Sequence, residues 1–509
     1  MGKTIRQVTF ELLRQLNITT VFGNPGSTEE TFLKNFPADF RYIQTLHESS
    51  AVAAADGYAQ STRNVALVNV HTSAGLSNAM SNILTAYMNR TPLIITAGNQ
   101  TRDMLLIEPW LTNIKPETLP EPWVKWSYQP VRAEDVPAAF MRAYAMALQP
   151  PAGPVFLSIP LDDWDKPAEA DAAVVRSVSH RISADPVRMR EFAQSVSGAK
   201  NPVLIYGSSL ARGEGWEAGI RLAEKLNIPV YSAPASERPP FPESHPLYAG
   251  GLPFAMKPLS DKLAGHDVAL IIGAPVGDSL LCDAVLAVEQ LTELVSARPA
   301  LATAVSKQPH GMAPHPAAPE AASDGLLSAS QLFRAVRSAM PEETILTEES
   351  PSNLGELHAA WPVDKPDSFY TFASGSLGWT LPASAGIALG ERDSGRNRPV
   401  AAIIGDGSMQ YSVQGLWTAA QHQLPILFVI PENRQYGILK SFAVLEDTPG
   451  VPGLDIPGLD IAALATGYGC TAVRAETEAE VIAACKAALQ RKGPTVLVVP
   501  IRPSVPPLM

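Results

Sequence analysis

Short β-branched apolar runs, separated by longer stretches of helical periodicity, set the plan of this chain. The first series is TTVFG at 19–23, VALVNV at 65–70, PLIITAG at 92–98 and PVFLSIP at 154–160. Runs apolar at nearly every position fit strands buried on both faces, and their alternation with helices makes βαβ units around parallel sheets. A second series follows the charged stretch near 162–185, with PVLIYG at 202–207, PVYSAP at 229–234 and VALIIGAPV at 268–276. A third comprises TILTEES (344–350), FYTFASG (369–375), VAAIIGDGS (400–408), PILFVIPEN (425–433) and PTVLVVPI (494–501). Between the last two series, the Pro-, Ala- and Gly-rich 307–325 reads as a linker. The pattern predicts three α/β domains with helix-flanked parallel sheets, over 1–180, 181–320 and 321–509.

The N-terminus places Ile5, Val8, Leu12, Leu13 and Leu16 at helical spacing, so an amphipathic helix is expected there and not a signal-peptide core. The apolar runs fall far short of the roughly 20 residues of a membrane helix, so no membrane partner is expected. With 509 residues, 46% hydrophobic and 17% charged, the chain is too long for one core and too apolar for disorder. Its net charge of −11 and the lack of a basic stripe argue against a nucleic-acid partner. Three cysteines, far apart and without CxxC spacing, indicate neither a disulfide framework nor a zinc site, and a reducing, cytoplasmic setting is expected.

The middle series does not fit the plan. After Val276 the chain runs GDSLLCDAVLAVEQLTELVSARPALATAVSK, which reads as helix throughout, and leaves that domain three strands. Loss of central strands would expose a sheet edge and apolar faces.

The strongest chemical signal is GDGS at 405–408, after a buried strand, with 24 residues between Gly407 and the pair Glu432-Asn433 at the end of the next strand. A carboxylate and an amide oxygen at neighbouring strand ends suit a hard cation that also holds phosphate oxygens. Glycines beside Asp406 let backbone amides approach a diphosphate, although on spacing alone plain turn chemistry explains Asp-Gly equally well. Glu48 in LHESS, Ser27 in NPGST and His71 in NVHTS also fall near predicted strand ends. Taken singly they read as a solvated or capping carboxylate, a helix N-cap and a satisfied structural histidine.

Taken together, these motifs resemble those of the thiamine-diphosphate-dependent 2-keto acid decarboxylases, and among them the benzoylformate decarboxylases. FGNPGSTEETFLKNFP (22–37), LHESSAVAAADGYAQ (46–60), VNVHTSAGLSNAM (68–80), VKWSYQP (124–130), SLGWTLPASAG (376–386), GDGSMQYSVQGLWTAAQ (405–421) and VPGLDIPGLD (451–460) carry the likeness over nearly the whole chain. It implies thiamine diphosphate and Mg²⁺ as cofactors, with Asp406 and Asn433 binding the metal through side chains and Gln435 through its carbonyl. Gly407 and Ser408 would face the diphosphate, Gly375 would offer its carbonyl to the cofactor, and Leu377 would be the apolar prop beneath it. Glu48 would exchange a proton with the cofactor's pyrimidine ring, Ser27 would hold the substrate carboxylate, and His71 would relay protons. A helix N-terminus beside His71 favours its neutral ring. Ile438 would meet the cofactor, with Phe442, Trp110 and Leu111 lining the substrate pocket.

The implied reaction is nonoxidative decarboxylation of an aromatic 2-keto acid, benzoylformate to benzaldehyde and CO₂. Another 2-keto acid, a carboligase and a catalytically silent paralogue are the alternatives. The likeness also implies at least a homodimer, with a dimer of dimers expected, each cofactor lying between domains of two subunits. The chain departs from the family in three places. Glu432 replaces an Asn and adds a charge. Thr371 stands where an aromatic side chain is usual. GAPV at 273–276 joins GDSLLCDAV directly, which removes the family's second catalytic His, and no remaining histidine stands in a matching motif.

Overall fold

The apolar runs form parallel strands in three sheets, in a computed structural model that describes residues 2–168, 175–177, 179, 181–212, 214–274, 280–299, 325–506 and 508. The first sheet contains β1 (Thr20–Gly23), β2 (Arg41–Gln44), β3 (Ala66–Val70), β4 (Leu93–Asn99), β5 (Ser127–Tyr128) and β6 (Val155–Pro160). The middle sheet has β7 (Pro202–Tyr206), β8 (Val230–Ser232), β9 (Tyr248–Gly251) and β10 (Val268–Ile272). The third is built from β11 (Ile345–Glu349), β12 (Phe369–Tyr370), β13 (Val400–Ile404), β14 (Ile426–Glu432), β15 (Thr471–Arg474) and β16 (Thr495–Pro500). The N-terminal helix is Ile5–Gln15, and the five apolar residues that predict it are buried.

The outer sheets share one topology. Their orders are β2-β1-β3-β4-β6-β5 and β12-β11-β13-β14-β16-β15. In each, the direction of progression reverses between the first and third strands. At such a reversal the two following connections diverge to opposite faces, opening a crevice at the carboxyl ends of the strands where ligands bind in α/β sheets. The segments after β1 and β3, and after β11 and β13, are therefore the places to look for chemistry.

Two buried helices join the outer domains. Glu48–Thr62 is rich in Ala, and Thr380–Asp393 carries Gly and Ala where the two meet. A methyl group at Gly386 would collide with the Ala54 carbonyl, so glycine is needed there for backbone approach. Asp56, wholly buried, accepts hydrogen bonds from Trp379 Nε1 (2.8 Å), Gln60 Nε2 (2.7 Å) and Asn89 Nδ2 (3.1 Å), tying the same junction. Each of these helices begins beside one of the candidate cofactor segments.

The middle sheet corrects two expectations. It has four strands, not three, because β9 joins beside β8. The long helix expected after Val276 is helical only over Ala284–Leu294 among the described residues, where Asp283 caps Leu286 N at 3.0 Å and Val295 turns extended. The fused junction itself at 275–279 and the linker at 307–324 lie outside the described residues. Among those described, β10 pairs with β7 alone. Its sequence VALII is that of a strand buried on both faces, yet only Ile272 is buried and Ala269 is exposed. Among the described residues, no strand covers the far side of β10, as the shortened sequence anticipates. The outward amides of Val268–Ile272 are accordingly expected to exchange with solvent at least about 100-fold faster than those of the central β13, as hydrogen-exchange mass spectrometry can measure. Equal protection of the two strands would show that the β10 edge is covered.

Candidate active site

At the first crevice, chain geometry gathers two carboxylates, Glu29 and Glu48, near one imidazole. β1 leads into Asn24-Pro25-Gly26-Ser27-Thr28-Glu29, and β3 leads into His71, which caps the helix Thr72–Met88 without a side-chain capping bond. A side chain at Gly26 would collide with the His71 ring, so the close approach of these segments requires glycine. His71 Nδ1 lies 2.8 Å from Glu29 Oε2 and 3.2 Å from Thr28 Oγ1. Glu29 is fully engaged: it also accepts from Gly26 N (3.0 Å), Gly98 N (2.7 Å) and Thr28 Oγ1 (2.8 Å). With Nδ1 donating to this carboxylate, the proton on that nitrogen is assigned by its partner, and Nε2 is left for other chemistry.

This pairing runs against the expectation of a neutral His71. The Glu29 hydrogen bond raises the imidazole pKa above its ordinary value, against burial that lowers it, and the charges of Glu29 and then Glu48 add to the rise. Protonated His71 paired with Glu29 stabilises the fold below the ordinary imidazole value. The contribution is lost as pH rises through the elevated one. Neutralising the partner in Glu29→Gln should lower the His71 pKa and, with His71 in the relay role that the family resemblance implies, cut kcat/KM at least about tenfold, because such a group works best with its pKa near the working pH. Titration of the His71 ring by NMR checks the first, and an unmoved midpoint would show that Glu29 does not set it.

Glu48 opens its helix and is 6% exposed. Its two oxygens are held separately, Oε1 by Asn24 Nδ2 at 3.0 Å and Oε2 by Asn78 Nδ2 at 3.1 Å. It is neither an exposed carboxylate nor the helix cap, which is His47, whose Nδ1 accepts from Ser49 N at 3.2 Å. A methyl group on Gly75 would lie 3.0 Å from Glu48 Cγ and 3.3 Å from His71 Cβ, so both flank the same glycine. Ser27 is exposed in the turn that follows β1 and is not a helix cap; that position belongs to Glu29.

The second crevice presents the candidate metal and diphosphate residues. Asp406 follows Gly405 at the end of β13 and opens a single helical turn, Asp406–Met409. Its Oδ2 accepts Arg434 N at 2.6 Å and Oδ1 accepts Gly407 N at 2.8 Å. Burial lifts its carboxyl to about 6 against those N–H donors, and the nearby charge of Glu432 adds to the rise. Among the described residues no Lys or Arg pairs with it. A buried carboxylate without a countercation is costly, and the oxygen donors around it suit a divalent metal. Asn433 Oδ1 receives Gln435 N at 3.1 Å, while the Gln435 side chain is occupied by Lys440 Nζ (2.6 Å) and Ser504 O (3.0 Å), which leaves its backbone carbonyl as the available group.

Glu432 turns away from this role. Its Oε2 pairs with Arg474 at 3.1 Å and Arg434 at 3.4 Å, so the charge added by replacing Asn is answered within the protein. Gly407 is packed too closely for a larger residue, since a methyl there would come within 2.6 Å of the Tyr436 ring, and Ser408 is buried beside it. The loop 374–378 places Gly375 exposed at φ +72° and leaves Leu377 half-buried, outside the cores. Thr371 is not free to line a pocket by its hydroxyl, which donates to Glu348 Oε2 at 2.9 Å.

The apolar pocket candidates stand at the surface of the single chain. Trp110 is 92% exposed, Leu111 43% and Phe442 45%, while Ile438 is partly buried with its N–H on Ser352 Oγ at 2.9 Å. Among the described residues no hydrogen bond or ion pair joins Ser27, Glu48 or His71 to Asp406, Ser408 or Asn433. One chain thus carries two clusters of candidate residues that are not bonded to each other. Of the residues in them, Asn24, Glu29 and Asn78 have no sequence signal that marks them singly, and Glu29 is distinguished from the exposed Glu30 only by the fold.

Comparison with known proteins agrees with this fold. Residues 3–116 match the thiamine pyrophosphate enzyme N-terminal TPP binding domain, 189–292 the central domain of such enzymes, and 353–499 their C-terminal TPP binding domain. A benzoylformate decarboxylase from Pseudomonas aeruginosa is 38% identical over 98% of this chain and 99% of its own. The alignment spans 535 positions against 509 residues here, so that relative has internal residues without a counterpart in this chain. The crystal structure of benzoylformate decarboxylase from Polynucleobacter necessarius superposes with a TM-score of 0.93 at 48% identity, over 99% of this chain and 100% of that one. The 4-hydroxybenzoylformate decarboxylase of Rhodococcus jostii gives 0.92 at 34% identity over the same shares.

Proposed function

Since the chain belongs to the thiamine pyrophosphate enzymes, among the decarboxylases akin to benzoylformate decarboxylase, we propose that it converts an aromatic 2-keto acid, benzoylformate, to benzaldehyde and CO₂. Thiamine diphosphate, when bound, supplies the electron sink that lets the bond to the carboxylate break without oxidation. The observation that carries the reading is the occupation of both crevices, with Glu48, Ser27 and His71 at the first and an uncompensated Asp406 beside Asn433 at the second.

The residues divide the work. Asp406, Asn433 and the Gln435 carbonyl would hold Mg²⁺, and Gly407 and Ser408 would meet the diphosphate. Gly375, Leu377 and Ile438 would shape the cofactor's seat. Glu48, its oxygens fixed by Asn24 and Asn78, holds and returns a proton toward the pyrimidine side. The Ser27 hydroxyl binds the substrate carboxylate, and His71, set by Glu29, gives or takes a proton at Nε2. The exposed apolar stretches at Leu106, Ile107 and Trp110 and at Phe442, Val444 and Leu445 would be covered by a second copy, closing each site between two chains and placing Trp110, Leu111 and Phe442 round the aryl ring. The domain limits at 180 and 320 belong to this reading.

The experiment is a comparison of kcat/KM for benzoylformate, pyruvate and a branched-chain keto acid with saturating thiamine diphosphate and Mg²⁺. Preference for benzoylformate is expected. Preference for pyruvate would move the assignment to another 2-keto acid, and stoichiometric cofactor binding without any turnover would make the protein a silent paralogue.

A further inference from the structure

A further buried carboxylate, outside the set that the reaction uses, joins the two segments that would grip the cofactor. Glu349 ends β11 at the reversal in the third sheet and is 1% exposed. Its Oε1 accepts Gly378 N at 2.6 Å and its Oε2 accepts Thr380 N at 2.7 Å. Its own carbonyl accepts Gly405 N at 3.0 Å. One residue thereby fixes the exit of the 374–378 loop, which carries Gly375 and Leu377, and the entry to the GDGS turn, which carries Asp406 and Gly407.

The arrangement has local causes. The helix Thr380–Asp393 begins after Trp379, which offers no side-chain cap, so its first N–H groups need an acceptor from elsewhere. Gly378 has φ +101°, a conformation that favours glycine, and its N–H points at the same carboxylate. An ionised carboxylate satisfies both donors and complements the positive end of the helix. Burial lifts this carboxyl to about 7, so an ionisable group is retained here at some cost to its charged form. The adjacent Glu348, also buried, bonds Ser350 N and Thr371 Oγ1 and touches neither cofactor segment through its side chain.

Resting on the functional reading above, we propose that Glu349 is a positioning residue for the thiamine diphosphate site, setting the separation between the Gly375–Leu377 loop and the metal turn. It does not meet substrate or exchange protons with it. Its removal should therefore act on cofactor affinity.

The test compares Glu349→Gln and Glu348→Gln with the wild-type chain, using calorimetric titration with thiamine diphosphate in excess Mg²⁺ and hydrogen exchange over 374–382. In Glu349→Gln the amide must turn an NH₂ toward one of two N–H donors, so the cofactor Kd should rise at least tenfold and exchange in the loop should quicken at least tenfold. Glu348→Gln should keep its Kd within threefold of wild type. Should Glu349→Gln fail to fold, Glu349→Asp keeps the charge but withdraws it by one methylene, and the same loss of affinity is expected. A folded variant at Glu349 whose Kd stays within threefold of wild type overturns the proposal. So does an equal loss of affinity in Glu348→Gln, which marks general destabilisation. A wild-type chain that binds no thiamine diphosphate overturns the functional reading and this inference with it, an outcome visible in the wild-type titration alone.

Discussion

Glu48→Gln should lower kcat by about 10²–10⁴-fold, roughly 3–5 kcal/mol of barrier, while leaving the protein folded and able to bind thiamine diphosphate. The substitution keeps shape and removes the exchangeable proton. Glu48 now accepts from both Asn24 and Asn78, whereas Gln can accept from one only and turns an NH₂ toward the other. That mismatch costs about 1–3 kcal/mol unless the facing Asn amide flips to restore the bond. Stability and activity thus part company, and a modest fall in Tm with a large fall in kcat at saturating cofactor is the expected signature. Unchanged turnover would remove Glu48 from the catalytic set.

The second large effect is expected at Asp406. Asp406→Asn keeps an acceptor for one of the two N–H groups it serves, those of Arg434 and Gly407, but removes the charge that a divalent cation needs. With Asp406 as the proposed ligand, its loss should weaken Mg²⁺-dependent cofactor binding by more than the about 10–100-fold typical of an outer partner. The raised carboxyl adds a pH test. Below about 6 the metal must displace a proton from Asp406, and its affinity for the wild-type chain should then fall by about tenfold per pH unit. The Asn variant should lose that dependence. Retention of Mg²⁺-dependent cofactor binding by Asp406→Asn would place the metal elsewhere.

The strands legible in the sequence are those buried on both faces. β3, β4, β6, β13 and β14 are buried at every residue, and each presents a mostly apolar run because helices cover both sides of the sheet. β5, β9 and β15 lie at sheet edges, with mixed or partial burial, and need no such run. β10 is the converse case: an interior pattern placed at an edge, which is how a shortened domain shows itself in both sequence and structure.

The candidate site divides in the same way. Asp406, Asn433, Glu48, Ser27 and His71 stand in motifs that resemble the family's, so spacing and resemblance point to them. Glu29, Asn24 and Asn78 act by touching those residues from other segments, and such contacts exist only once β1, β2 and β3 are side by side. Glu29 changes the chemistry expected of His71, because its hydrogen bond raises the imidazole pKa. The charge introduced at Glu432 is resolved by Arg474 from a distant strand, again invisible in the motif itself.

The most direct measurement is turnover of benzoylformate by the purified chain, following benzaldehyde and CO₂ together, with and without thiamine diphosphate and Mg²⁺. Equal molar release of the two products, dependent on both cofactors, is the predicted result. Stoichiometric cofactor binding with no benzaldehyde formed from benzoylformate would contradict it.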